Sequence, residues 1–212
     1  DFSFYGYHLD SVKTKLSFDF DKGSIKFSNI KGTSHKTNII GNGLINYNSL
    51  NIDTSFKVNN LNINETKRIL RKHEAVSKIP SEGIHGTWHL GGKVSGKLTP
   101  DEIKVNGYFS GKNNYFFNES LDKFKMKYSL DKQTLVIKDF IARKSFGKIF
   151  SFLEYNIKKN EANVWTKMSD VPIAEFSYYS KIPLSLQGRL NGMLKMKYQK
   201  DKWNGMGEVF LE

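Results

Sequence analysis

The chain contains no cysteine, only 4 prolines among its 212 residues, and no long apolar segment. Without thiols it can form neither a disulfide framework nor a thiolate metal site. No apolar run reaches about 18 residues, the length that a membrane-spanning helix needs. The sequence opens at Asp1 without a charged-then-apolar leader, so we expect any signal or anchor to lie outside this segment of a longer, repetitive protein.

Basic residues outnumber acidic ones, 33 to 21, which gives a formal net charge of +12. Such an excess favours anionic partners: nucleic acid, acidic proteins or phosphate-bearing lipid surfaces. The basic residues are spread over many segments, and the alternation described next places most aromatic side chains on the opposite face from the lysines. Because stacking platforms for bases need both on one side, the sequence argues against a nucleic-acid partner.

Apolar side chains recur at every second position through most of the chain, as in Leu16, Phe18 and Phe20. This period predicts β-strands with one apolar and one wet face. On the wet face we expect Lys104, Lys125, Lys127, Lys195 and Lys197. The residues that we expect to line the apolar face are Leu16, Phe18, Phe20, Ile52, Phe56, Val105, Phe109, Phe124, Met126, Tyr128, Leu135, Ile137, Leu153, Tyr155, Leu194 and Met196.

Short polar clusters separate these runs and read as hairpin turns, which predicts an antiparallel meander in a curled or closed sheet. The clusters are Asp21–Gly23, Asn42-Gly43, 111–114, 131–133 and 158–160.

Two segments break the alternation and predict short amphipathic helices. Residues 65–78 carry apolar side chains at helical spacing, and Asn62 can act as the cap. Residues 169–180 can begin at Ser169 or Asp170, with Pro172 in the first turn.

The sequence Lys-Ile-Pro follows each predicted helix, and the two copies start 103 residues apart, at Lys78 and Lys181. A Gly-punctuated strand comes after each copy. This indicates an internal repeat. We therefore expect groove strands over 1–64, a helix with groove strands over 65–168, and a helix with the start of the next repeat over 169–212.

The two junctions, KIPSEGIHGTWHLGGKVSGKL and SDVPIAEFSYYSKIPLSLQGRLNGMLKMKY, resemble the TamB/AsmA group of bacterial envelope proteins, within the wider class of bridge-like lipid-transfer proteins. In that group a short helix and an apolar-Pro step precede a strand of the type L-x-G-x-L-x-G-x-L, which Leu186 to Leu194 reproduce. The first junction departs from the pattern, with Trp88, His89 and Leu90 before a Gly pair.

The resemblance implies an all-β fold: a curled antiparallel sheet that forms an elongated U-shaped groove, or β-taco, with two short helices. It implies non-enzymatic phospholipid transport between the inner and outer membranes, in the periplasm, with an inner-membrane anchor outside this segment. The apolar face would contact acyl chains. Because some members are linked to outer-membrane protein assembly, a barrel protein of that membrane is a candidate partner.

Other hypotheses remain open at this stage. The apolar face can instead be a closed core filled by its own side chains, or the chain can be a periplasmic scaffold that templates client strands by β-augmentation. Catalysis has little support: His85 and His89 would be about 13 Å apart along a strand, too far to share a metal, and Asp101-Glu102 after Pro100 reads as a turn. We therefore expect no enzyme activity, no metal and no cofactor.

Overall fold

The protein is almost entirely β-structure in the residues that this computed structural model describes, 2–4, 7–34, 36–64, 66, 85–116, 119–173 and 187–212. The all-β class is therefore confirmed. The strands are β1 (Phe2–Phe4), β2 (Tyr7–Leu9), β3 (Ser11–Asp19), β4 (Ser24–Ser34), β5 (Thr37–Asn46), β6 (Asn51–Asn62), β7 (His85–Lys97), β8 (Lys104–Phe116), β9 (Glu119–Asp131), β10 (Thr134–Lys144), β11 (Gly147–Asn156), β12 (Glu161–Pro172), β13 (Arg189–Gln199) and β14 (Lys202–Leu211).

Strands β3 to β14 form one 12-stranded antiparallel sheet in which each strand pairs with its sequence neighbours, and β1 and β2 form a separate hairpin. The predicted meander is confirmed. The sheet is open, because β3 and β14 are its two edges rather than a pair, and it is not curled. At about 4.8 Å between strands, it is roughly 50 Å wide. The closed sheet expected as one option is therefore wrong, and the U-shaped curvature is not shown.

Two of the predicted turns lie inside strands instead. Asn42-Gly43 is in the middle of β5, where the Asn42 side chain accepts a hydrogen bond from the Asn29 N–H (2.9 Å). A Cβ at Gly43 would lie 2.7 Å from the Thr54 methyl carbon, so the glycine serves close cross-strand packing. The cluster 111–114 is likewise within β8. Polar and glycine residues that look like a turn in the sequence make contacts between paired strands here, and the chain does not reverse at them.

The two predicted helices are not shown. Residues 63, 64 and 66 are helical, and the Asn62 side chain accepts a hydrogen bond from the Asn64 N–H (3.0 Å), as a cap would; residues 67–78 lie outside the described residues. The predicted start of the second helix is wrong, because β12 continues to Pro172 and pairs Val171 with Leu190. Residues 174–180 lie outside the described part.

The sheet continues across the expected domain boundaries. The first expected boundary lies between β6 and β7, and these two strands pair with each other. The second expected boundary, after residue 168, lies inside β12. Two glycines at the starts of the strands after the Lys-Ile-Pro copies share an unusual backbone: Gly86 has φ +126° and Gly188 has φ +134°. Only glycine adopts such values readily, so both junctions need it.

Left-handed Asn or Asp residues mark every second strand from β4 to β12, each beside a shift of strand register. They are Asn29 (φ 55°), Asn60 (58°), Asn113 (51°), Asp139 (52°) and Asp170 (53°). Asn and Asp tolerate this conformation better than other side chains. A bulge bends its strand and increases the local twist, so the sheet carries a bending device at regular intervals.

One of these bulge residues is also held electrostatically. The Lys127 ammonium donates a 2.9 Å hydrogen bond to Asp139, and this bond lowers the pKa of the Asp139 carboxyl. The contribution to stability is present above the ordinary carboxyl pKa and is lost as pH falls through the lowered value.

Two tight turns are strained by lysine. Lys132 (φ 46°) and Lys200 (φ 52°) occupy the first positions of two-residue turns in which both residues have positive φ, a geometry that prefers Asn-Gly. We expect Lys132→Asn with Lys200→Asn to stabilise the fold by about 1 kcal/mol, because the left-handed penalty falls. In a thermal melt this corresponds to an increase of about 2–4 °C in Tm. Lys57→Asn, within β6, is the control and should not raise Tm.

Candidate functional site: the two faces of the sheet

Cross-strand register assigns nearly all of the predicted apolar residues to one face, which we call the apolar face. Directly opposed residues share a face, and Phe109 is opposite Met126, Ile137 opposite Leu153, and Leu194 opposite Thr166. Following the pairs strand by strand places on this face Leu16, Phe18, Ile52, Phe56, Val105, Phe109, Phe124, Met126, Tyr128, Leu135, Ile137, Leu153, Tyr155, Leu194 and Met196. Phe20 is the exception, in the turn after β3 and 81% exposed.

The apolar face also contains residues that sequence reasoning missed. In β4 the bulge at Asn29 shifts the alternation, so Phe27 and Ile30 share the face although their numbers differ in parity. In β7, Trp88 and Leu90 lie among glycines that hide the period. Ile25, Ile39 and Ile45 are further members that were missed. Val58, Val164, Met168 and Trp203, which continue the alternation of period two in the sequence, also lie on this face.

Burial on this face varies from the middle of the sheet to its edges. In the middle, Phe124 is 3% exposed, and the Trp88 ring meets Phe109 and Phe124 edge-on with ring centroids 5.6 and 5.2 Å apart. Burial also raises the pKa of the Tyr128 phenol. Toward the two edges, Phe18 and Trp203 are more than half exposed. The middle is therefore packed by its own side chains, whereas the flanks present apolar surface.

The opposite face, called here the lysine face, carries all five lysines expected on it, and all are exposed. Several lysines of this face form surface ion pairs with carboxylates on neighbouring strands. The Nζ–carboxylate distances are 3.0 Å for Lys93–Asp53, 3.5 Å for Lys104–Asp131 and 2.9 Å for Lys127–Asp139. Exposed pairs of this kind contribute little stability.

The lysine face is not purely polar, which corrects the sequence argument about aromatics. In β11 and β12, Phe150 is opposite Lys167, Phe152 is opposite Trp165, and Trp165 is in turn opposite Lys195. The Trp165 indole N–H donates to the Met193 sulfur (2.9 Å). A cleft of about 610 Å³ is lined here by Phe152, Trp165 and Met206 together with Lys195 and Lys197. In this region aromatics and lysines share one face.

The histidines have separate partners. Both His85 and His89 are in β7, where His85 Nδ1 lies 2.9 Å from Asn64 Oδ1 and His89 Nδ1 accepts from the Asn60 N–H (3.4 Å). In the described part of the chain, no group of three or more His, Asp or Glu is arranged to hold a metal ion. Asp101 and Glu102 lie in the turn that joins β7 and β8.

No helix among the described residues has the length and apolarity to cross a bilayer.

Comparison with known proteins gives no relative: no family model matches the chain, and no curated protein or solved structure is significantly similar to it. The resemblance to the TamB/AsmA group therefore depends on the two junction sequences alone.

Proposed function

We propose that the protein carries phospholipid between the inner and outer membranes, as part of a periplasmic conduit anchored to the inner membrane, without catalysing a reaction. The observation that carries this proposal is the continuous apolar face: register aligns apolar side chains on one side of all 12 strands. An apolar surface of that length needs a cover, because soluble proteins rarely expose large contiguous apolar patches. Acyl chains are a cover of matching chemistry.

The open topology supports the proposal. A closed barrel or sandwich would hide the apolar face against itself. Among the described strands, however, β3 and β14 are the two edges of the sheet, and their apolar residues Leu16, Phe18 and Trp203 are about half exposed. The packed cluster around Phe124 fills the middle of the face. The closed-core hypothesis thus describes the middle strands, and lipid would contact the flanks and pass over the aromatic cluster.

The repeated bulges support a trough. Five left-handed Asn or Asp residues lie on alternate strands, which run in the same direction, so their bends add in the same sense across the sheet. A sheet with bulges at such intervals can curl lengthwise when lipid occupies it, and we propose that the U-shaped β-taco is that state.

Binding in such a trough would be non-directional. Each buried CH₂ of an acyl chain contributes about 0.8 kcal/mol. Contacts of this kind do not fix a chain at one depth, so a bound lipid can slide. Movement then follows a concentration difference without chemistry.

We predict that phospholipid co-purifies with the 212-residue chain and is lost when charge is placed on the apolar face. The test variant is Phe18→Asp with Trp203→Asp, and the matched control is Ser17→Asp with Asn204→Asp. The control adds the same charge at neighbouring positions of the same strands, on the lysine face. Native mass spectrometry counts the bound lipid, and far-ultraviolet circular dichroism checks that the sheet persists. Phe124 is unsuited to this test because a charge at a buried site would unfold the protein.

Lipid on the wild type and the control, with a folded but empty test variant, would support transport. A lipid-free wild type would reject it. The remaining candidate would then be a periplasmic scaffold. The position of β3 and β14 at the edges of the described sheet favours it, because an open edge can add a client strand by β-augmentation.

A further inference from the structure

Four cations form a straight row across adjacent strands of the lysine face. Lys112 in β8 is directly opposite Lys123 in β9, Lys123 is opposite Arg143 in β10, and Arg143 is opposite Lys148 in β11. The row ends at Thr87 on one side and Ser169 on the other, so it contains no carboxylate. We call these four residues the cationic row.

The cationic row is unfavourable for the isolated sheet. Like charges directly opposite each other destabilise a strand pair, and this row contains three such pairs in succession. All four side chains are exposed, and no ion pair between described residues includes any of them. The two carboxylates of β9 on the same side of the row have other partners: Glu119 contacts the Lys144 ammonium (2.9 Å), and Asp122 accepts from the Ser145 N–H (2.6 Å).

Apolar side chains adjoin the cationic row. Ile141 is opposite Phe150 in the next row of the same face, and both line a depression of about 350 Å³ that is rimmed by Lys123, Arg143 and Lys148. At the tip of the β10–β11 hairpin, just beyond the row, the Phe146 ring is more than half exposed.

We propose that the cationic row is a docking surface for a membrane that contains anionic phospholipid. Several cations beside exposed apolar groups match the boundary between phosphate headgroups and acyl chains, where lysine and arginine contact phosphates and aromatic rings enter the apolar layer. A planar array of anions would also neutralise all three like-charge pairs at once.

Single-stranded nucleic acid fits the row less well. Base stacking needs an open ring face beside the cations. The nearest ring within the sheet, Phe150, is half-buried, and the Phe146 ring is covered on one face by the Arg189 guanidinium, 4.8 Å from its centroid. The proposal makes no use of the apolar face, so it and the lipid conduit can fail separately.

The test compares two variants of the 212-residue chain that each remove three positive charges. The row variant is Lys123→Gln, Arg143→Gln and Lys148→Gln. The control is Lys93→Gln, Lys104→Gln and Lys127→Gln, which removes lysines of the same face that already have carboxylate partners. Binding is measured by co-sedimentation with phosphatidylcholine vesicles that contain or lack phosphatidylglycerol, and by anisotropy with a labelled thymidine oligonucleotide.

We expect the wild type to bind only the vesicles with phosphatidylglycerol, and the row variant to bind them about a hundredfold more weakly, at about fivefold per cation. The control should lose no more than a few-fold. Equal losses in the two variants would mean that only net charge matters, and this would overturn the proposal. Binding of the oligonucleotide without vesicle binding would overturn it as well, in favour of nucleic acid.

A second variant separates binding from folding. Arg143→Glu places a carboxylate between Lys123 and Lys148, so it should raise Tm by about 2–4 °C at low salt. Because it changes the charge by two, it should weaken vesicle binding by about 25-fold. A residue that only supports the fold would not show opposite changes in stability and binding. Unchanged vesicle binding in this variant would overturn the proposal.

Discussion

Truncation of Phe124 to alanine is expected to lower the free energy of unfolding by about 3–5 kcal/mol, the usual range for a buried phenylalanine. Phe124 is 3% exposed, and its ring meets the Trp88 ring edge-on. It belongs to a cluster with Leu121 and Ala142, against which Phe109 and Ile149 pack. The loss has two parts: the apolar area returned to water and the cavity left in a cluster that contains residues of several strands.

Equilibrium urea unfolding, followed by tryptophan fluorescence, measures this loss. Phe18→Ala is the control, because the Phe18 ring is more than half exposed on the same face; it should cost less than about 1 kcal/mol, as exposed substitutions usually do. Similar costs for the two variants would show that the middle of the sheet is as open as its flanks. The region in which lipid can approach the sheet would then be larger than proposed.

Replacement of Lys144 by methionine is expected to cost about 3 kcal/mol. The Lys144 ammonium lies 2.9 Å from the Glu119 carboxylate, and the two side chains are 3% and 21% exposed. Removing one member of a buried pair leaves the other charge without its partner, which costs about 3–5 kcal/mol. The lower end applies because part of the Glu119 side chain reaches solvent.

A double-mutant cycle with Glu119→Gln isolates the interaction. The double variant should recover much of the loss, since an apolar residue beside a neutral amide leaves no buried charge unpaired. Additive costs in the cycle would mean that Lys144 stabilises the sheet through packing of its stem rather than through the ion pair. Denaturation at pH 7 distinguishes the two outcomes.

The two expected effects concern the same part of the sheet. Both the Phe124 cluster and the Lys144–Glu119 pair involve β9 and β10, in the middle of the sheet. Within the part of the chain that the structure describes, the edge strands β3 and β14 each pair with one neighbouring strand. If the proposed conduit is correct, such a stable middle would let the flanks accept acyl chains without loss of the fold.

The sequence by itself determined the class of the fold and most of the apolar face. Alternation of period two, as at Leu16 and Phe18, predicts antiparallel strands, because only a strand turns every second side chain to one side. It also identified 15 residues of the apolar face and the exposure of the lysines, properties that depend on local periodicity alone.

Tertiary structure decided everything that depends on register. Asn42-Gly43 looks like a turn in the sequence but lies within a strand, where the Asn42 side chain accepts a hydrogen bond from the bulge residue Asn29, 13 residues away in sequence. The openness of the sheet follows from the absence of pairing between β3 and β14, which no local pattern encodes. Lys112, Lys123, Arg143 and Lys148 form one row only because turn lengths and bulges align four strands, and a one-residue slip in any strand would disperse them between the two faces.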